Sequence, residues 1–399
     1  MDFRISSRIQ QGIERGRKTA ARRPILEGSD LIHLDGTRLG KELIPFEAIR
    51  EAYGQALAPD NEIQSAAATS CEPLHEQLRT RLASAQQRIQ PGQLLLAHHT
   101  GQALELAVRT LTEAGDCILA EEAADPFTLQ LLRLNGVDVL AVPYDEEGIS
   151  LTELAGLIHS CKPKLIYVNP GFSATVGRTW SMKRRKAFVR LCTEHKLPIV
   201  EEDQSGTLHG GYKGKAPSLL SLTGFIEDSP VIHIGSFSHV IAPVLSTAWV
   251  IGNIGVLSAM AVVQQAFSRQ ASVLDQMALH ALLELFDVDA QLRRVEAICE
   301  QRLRLITDLL ERKGLPDVTW QIPNGGRFLW IELPQGLDGH ALQRAGEIEG
   351  VAFDPGAPFF LLNGMPNTVR LNVAWASEAQ LQLGMERFMT AIEAFLARA

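Results

Sequence analysis

The chain has 399 residues, of which 46% are hydrophobic and 21% charged, a composition and length that suit a globular protein with one large domain and a smaller one. Its formal net charge of -8 argues against wholesale nucleic-acid binding, and no stretch approaches the roughly 20 apolar residues that span a bilayer. Cys71, Cys117, Cys161, Cys192 and Cys299 are scattered without metal or redox spacing, and no leader-like apolar run follows the first charges, so the expectation is a cytoplasmic protein with reduced thiols.

Residues 1–30 carry Arg4, Arg8, Arg15, Arg17, Lys18, Arg22 and Arg23 against Asp2, Glu14, Glu27 and Asp30. This basic arm reads first as a solvated amphipathic segment packing on a partner subunit, and second as a nucleic-acid arm. From about 94 to 252, short apolar runs alternate with helical patterns. Strands are expected at 117–120, 137–142, 165–169, 199–203, 231–235 and 248–252, with helices near 101–113, 126–135, 151–160, 182–195 and 216–225. That alternation predicts an α/β fold, a mostly parallel sheet with helices on both faces. Ligands bind such sheets at the C-terminal ends of strands, where Asn169, Asp203 and Ser236 stand. A helical region follows over 271–313, with apolar spacing at Leu282, Leu285, Val288, Leu292 and Val295. Strands at 319–322 and 328–332 around Gly325-Gly326, then Pro355-Gly356, a strand at 369–373 and a helix at 378–397 predict a smaller α+β unit. The expected division is 1–60 as arm and part of the small domain, 61–275 as the large domain, and 276–399 as the C-terminal small domain.

Several blocks carry a family likeness. Gly235-Ser236-Phe237-Ser238 is followed by His239 and, four residues on, Pro243. Thr100-Gly101-Gln102-Ala103-Leu104, Lys164 to Pro170, Val200-Glu201-Glu202-Asp203, Asn324-Gly325-Gly326 and Arg370-Leu371-Asn372 keep their order and spacing around it. Together they resemble the fold type I pyridoxal-phosphate (PLP) aminotransferases, most closely the aminotransferase half of MocR-type regulators, from about residue 30 to 399. No winged-helix segment precedes them. The resemblance implies a homodimer with its site at the interface and the N-terminal arm reaching across.

In that family the G-S-F-S motif runs on into the lysine that forms the Schiff base. Here His239 stands there, and an imidazole nitrogen has no second proton to lose as water. Glu202 aligns with the aspartate that keeps the pyridine nitrogen protonated. Asp125 aligns with the aromatic residue stacked on the ring, Ala174-Thr175-Val176-Gly177 with the N-P-T-G that supplies an asparagine, and Gln204 with a tyrosine. Ser246 aligns with a phosphate-binding arginine, and Ser65 with the tyrosine lent by the neighbouring subunit. Ser236, Ser238, Thr100 and Gly101 remain as neutral donors to an anion. Arg370 matches the arginine that grips a substrate α-carboxylate as a bidentate pair. Lys213 and Lys215 are minor candidates to replace the lysine.

With several charge-assisted anchors altered, each worth roughly 1.5–3 kcal/mol, the expectation is a site that needs no cofactor, with PLP disfavoured. Three readings compete. In the first, His239 and Glu202 work as base and acid on a carboxylate-bearing, amino-acid-like metabolite, held by Arg370, Asp125, Asn169, Gln204 and Ser246 with Thr100, Gly101, Ser236 and Ser238. A metal held by His99, Asp125, Glu202 and His239 is a weak variant of it, and no metal is the expectation. In the second, the chain is an inactive pseudo-aminotransferase that binds a ligand or partners a lysine-bearing relative. In the third, PLP or its amine form is used non-covalently with His239 as base, as in a sugar dehydratase of this fold type.

Overall fold

The computed structural model describes residues 5–6, 9–10, 30–58, 70–84, 87–171, 179–203, 216–238, 240–242, 247–267, 271–321, 323, 326–361 and 364–397. Strand β1 (Ile32–His33) and helices α1 (Phe46–Ala56) and α2 (Glu72–Leu82) lead into the alternating part of the chain. There follow β2 (Leu94–Ala97), α3 (Thr100–Leu111), β3 (Cys117–Glu121), α4 (Pro126–Leu134), β4 (Asp138–Val142) and a small hairpin of β5 (Tyr144–Asp145) and β6 (Gly148–Ile149). Next come α5 (Leu151–Cys161), β7 (Ile166–Val168), α6 (Met182–Glu194), β8 (Ile199–Asp203), β9 (Val231–Ser236) and β10 (Ala248–Ile251). Seven strands form one sheet in the order β2–β10–β9–β8–β7–β3–β4. Only β10 runs against its neighbours; the pairs from β9 to β4 are parallel.

The sequence dictates this layering. Ile118, Leu119 and Ala120 in β3, and Ile199 and Val200 in β8, are all buried, as expected of parallel strands covered on both faces. The helices start on side-chain caps, with Asp125, Ser150 and Ser181 accepting a backbone N–H of α4, α5 and α6 respectively. Each such cap satisfies one of the helix's orphan donors.

All six expected strands of the large sheet are present. β2 was not anticipated, because four apolar residues carry no period of their own. The helix expected over 216–225 is instead a single 3-10 turn, Leu220–Leu222. Its start is fixed by the buried Glu201 carboxylate, which accepts the N–H groups of Leu219 at 2.6 Å and Leu220 at 3.2 Å. Helix α7 (Ile254–Phe267) was also missed; it is apolar on most faces and lacks the stripe that marks an amphipathic helix. The helical region at 271–313 is two helices, α8 (Val273–Leu285) and α9 (Val288–Lys313), broken where Asp287 caps α9 through the N–H of Ala290.

The smaller unit contains β11 (Thr319–Gln321), β12 (Phe328–Glu332), α10 (Gly339–Glu349), β13 (Val351–Ala352), β14 (Asp354–Pro355), β15 (Thr368–Asn372) and α11 (Glu378–Leu396). β11–β12–β15–β14 make an antiparallel sheet. β1 pairs in parallel with β13, so Ile32, Leu34, Leu39 and Leu43 pack in one core with residues of α9, β15 and α11. Cys71, Cys117, Cys161, Cys192 and Cys299 are free thiols. Among the described residues no helix is long and apolar enough to cross a membrane.

The motif strand β9 is packed to its limit. Gly235 lies opposite Trp249 in the β9–β10 ladder, and a Cβ there would sit 2.4 Å from the buried indole. Gly235→Ala should therefore destabilise the protein by about 1–3 kcal/mol through overpacking, measured by urea unfolding.

Candidate active site

A cavity of about 540 Å³ opens at the C-terminal ends of β3, β7 and β8, beneath the first turns of α3 and α4. Its size suits a small organic ligand. Glu121, Tyr167, Asn169 and Glu202 line it from the sheet, with His99, Thr100, Gly101 and Asp125 from the helix starts.

The two-residue period of a strand assigns different work to neighbouring carboxylates of β8. Glu201 points away from the cavity, where it accepts the N–H groups of Leu219 and Leu220 and pairs with His233 Nδ1 at 3.1 Å. Glu202 points into the cavity and is 4% exposed. The Tyr167 hydroxyl donates to its Oε2 at 2.6 Å. Burial and the adjacent Glu202 carboxylate hold the Tyr167 hydroxyl well above its ordinary range, so it stays a proton donor.

A second buried carboxyl, Glu121, ends β3. The Asn169 N–H donates to its Oε2 at 3.0 Å and Trp180 Nε1 donates to its Oε1 at 2.8 Å. Burial pushes Glu121 up to about 7, against the opposing pull of those two donors and the nearby Arg185 guanidinium. Arg185 is itself tied to the carbonyls of Pro170, Trp180 and Pro217.

Both helix starts over the cavity are capped from within the chain. His99 Nδ1 accepts the Gln102 N–H at 3.1 Å, and Gln102 Oε1 accepts the His98 N–H at 2.8 Å. Burial lowers the His99 pKa, which keeps the ring neutral and its lone pair available. Gly101 lets the ring fold back, since a Cβ there would lie 3.1 Å from His99 Nδ1. Asp125 Oδ1 accepts the Phe127 N–H at 2.9 Å. Ser236 Oγ donates to Ser238 Oγ and accepts the Ser238 N–H, both at 2.9 Å, outside the cavity lining.

Arg370 sits on β15 directly opposite Asp354 on β14. Its Nη2 and Nε donate to Asp354 Oδ2 at 2.6 and 3.2 Å. Phe328 and Phe359 lie 4.2 and 4.3 Å from the guanidinium carbon. The Gly36 N–H also donates to Asp354 Oδ2, at 3.0 Å, and the next residue, Thr37, lines the cavity. Arg327 is buried nearby, pushed down to about 10 by burial and by the Arg370 charge.

The structure thus brings Glu202, Asp125, Asn169, Thr100 and Gly101 together and keeps Ser236, Ser238 and Arg370 off the cavity wall. Arg370 was expected to face a ligand carboxylate; it faces Asp354. His239, Gln204, Ser246, Ser65, Lys213, Lys215 and residues 174–177 lie outside the described residues. Of the residues in the metal variant, His99 and Asp125 serve as helix caps and Glu202 takes the Tyr167 hydroxyl, while His239 lies outside the described residues. Glu121, Tyr167 and Asp354 were missed. Glu121 at a strand end and Tyr167 in a family block were visible signals; Asp354 meets Arg370 only through strand pairing.

No protein-family model matches the chain. It is 30% identical over 358 residues to the 2-aminoadipate transaminase of Thermus thermophilus, covering 89% of this chain and 88% of that one. The regulator YisV of Bacillus subtilis, described as HTH-type, is 24% identical over 361 residues, 90% of this chain and 73% of its own length. Among solved structures, α-aminoadipate aminotransferase from Thermus thermophilus, complexed with N-(5'-phosphopyridoxyl)-L-leucine, superposes with a TM-score of 0.84 at 27% identity, over 99% of this chain and 96% of that one. A multiple substrate aminotransferase from Thermococcus profundus shares the fold with a TM-score of 0.83 at 22% identity, over 100% and 97%. Sheet order, cavity position and these likenesses define the class, a transferase of fold type I. The chain belongs to the fold type I aminotransferase family.

The family corrects the cofactor expectation. A cofactor-free pocket was expected, yet the similar aminoadipate enzyme carries a phosphopyridoxyl ligand on the same fold, and the transaminase relative spans nearly the whole chain. The expectation counted altered side chains. It named the donors at the helix start, Thr100 and Gly101, but ranked them below the altered side chains, and it did not include the Tyr167 hydroxyl behind Glu202.

Glu121 supplies a pH test. Its folded-state pKa is raised to about 7, so between its ordinary value and 7 the folded protein binds the extra proton and stability falls as pH rises. The span corresponds to roughly 3 kcal/mol. Glu121→Gln should flatten the stability profile between about pH 4.5 and 7, read by urea unfolding across that range.

Proposed function

We propose that the chain is an aminotransferase-family enzyme that holds PLP or its amine form without a covalent bond to the protein and moves protons on a small amino compound. The observation that carries this reading is the cavity itself. A buried carboxylate with a hydroxyl donor closes one side, and a helix N-terminus meets the other, in a chain whose G-S-F-S motif continues into histidine. These ends suit a planar ring with a protonatable nitrogen and an anionic group. Asp125 departs from the family along the ring face, because its carboxylate caps α4.

When bound, the cofactor supplies an electron sink that makes a carbon–hydrogen bond beside nitrogen acidic. Glu202, backed by the Tyr167 hydroxyl, would hold a proton at the ring nitrogen. The Thr100 and Gly101 N–H groups, next to the Gln102 N–H that His99 takes, would bind the anionic group. Glu121, near neutrality in its titration, is suited to exchange a proton at the cavity wall. His239 is the base that the sequence places after the motif. The functional unit is a homodimer with this site at its interface, as the family resemblance implies; exposed Phe46 and Leu57 at the two ends of α1 offer apolar surface for it.

Calorimetric titration of the purified protein with PLP and with pyridoxamine phosphate tests the reading. The expected result is saturable binding of one molecule per chain, weakened about tenfold or more by Glu202→Gln through loss of a charge-assisted contact. Absence of saturable binding by either form would refute it.

A further inference from the structure

Arg370 is held in a finished binding arrangement by the chain's own carboxylate. Two of its nitrogens meet Asp354 Oδ2, two phenyl rings flank the guanidinium, and its side chain is 3% exposed. Asp354 is fixed in turn. It stands at the paired register position across β14–β15, and its Oδ2 also accepts the Gly36 N–H. A ligand carboxylate that took Nε and Nη2 would displace Asp354 from them, and one that approached the guanidinium elsewhere would still be a charged neighbour of Asp354. Like charges at that distance in a buried site repel strongly.

The cavity beside this pair points the same way. Glu105, Glu121, Asp125 and Glu202 line it. Among the described lining residues Arg109 pairs with Glu105 at 2.9 Å. Beyond the helix start reserved for the cofactor's anionic group, an amine gains more from such walls than a carboxylate does.

We propose that Asp354 is a specificity-determining residue that occupies Arg370 in place of a substrate carboxylate, so that the site takes amines lacking an α-carboxylate in preference to α-amino acids. This deepens the proposed function and rests on it for the location of the substrate. In the family pattern Arg370 grips the α-carboxylate; here that position is answered internally, and a substrate carboxylate at the same point would be in competition with it. The class that remains is primary amines, including diamines and arylalkylamines.

Paired ligands differing by one carboxylate give the test: lysine against cadaverine, and phenylalanine against phenethylamine, titrated calorimetrically into the cofactor-loaded protein. The wild type should favour the amine of each pair by about tenfold or more, and Asp354→Asn should shift the ratio toward the amino acid by a similar factor. A wild type that favours the amino acids, or a ratio that Asp354→Asn leaves unchanged, overturns the proposal. Should Asp354→Asn misfold, Asp354→Ser serves. A second readout stands apart from cofactor and substrate: phenylglyoxal modification of Arg370, mapped by peptide mass. Arg370 should be protected in the wild type and react several-fold faster in the variant. Equal rates would overturn the proposal even if the cofactor binds, whereas protection together with a failed cofactor titration would locate the fault in the proposed function instead.

Discussion

A carboxylate sealed at the end of β8 sets the terms for the rest of the site. Burying an ionised group without partners costs several kcal/mol, so the sheet must deliver donors to Glu202 at the same depth. It does so through register: Tyr167 lies beside Val200 in the β7–β8 ladder and its hydroxyl reaches Glu202 Oε2. One residue earlier, Glu201 points to the other face and is satisfied by a turn and a histidine. Pairs of acids at a strand end look alike in sequence, but the pleat makes one structural and gives the other to the cavity.

The same logic runs through the other ligand-facing positions. His99 caps the helix over the cavity, Asp125 caps the next, Ser236 bonds Ser238, and Asp354 takes Arg370. Each of these polar side chains has an internal bond. Buried polar groups must be paired, and a site that changes its ligand must re-pair the anchors it no longer offers outward. The inward bonds at Arg370 are the strongest of these, being charge-assisted and clamped between rings.

The large sheet was legible because parallel strands buried on both faces read as short apolar runs, as in 118–120 and 166–168. What failed was local. The 216–225 segment has helical residues but is held as a turn by Glu201, a partner 18 positions away. Helix α7 hid because its faces are alike. In the site, Asn169 was read from its place at a strand end and Glu202 from the family alignment, and their surroundings were not read. The cofactor expectation failed because altered side chains were ranked above the helix-start donors, Thr100 and Gly101, that remained. Arg370 was found and its partner was not, since Asp354 meets it only once β14 pairs with β15.

The chain belongs to the fold type I aminotransferase family, and the reading proposed for it is a cofactor held without a covalent bond. The most direct test is the intact mass of the protein loaded with PLP, reduced with borohydride and then denatured, beside a native mass measurement of the same sample. The account predicts one cofactor per chain in the native measurement and an unmodified chain mass after denaturation. One pyridoxyl group retained at a single lysine, stoichiometric with the chain, would contradict it.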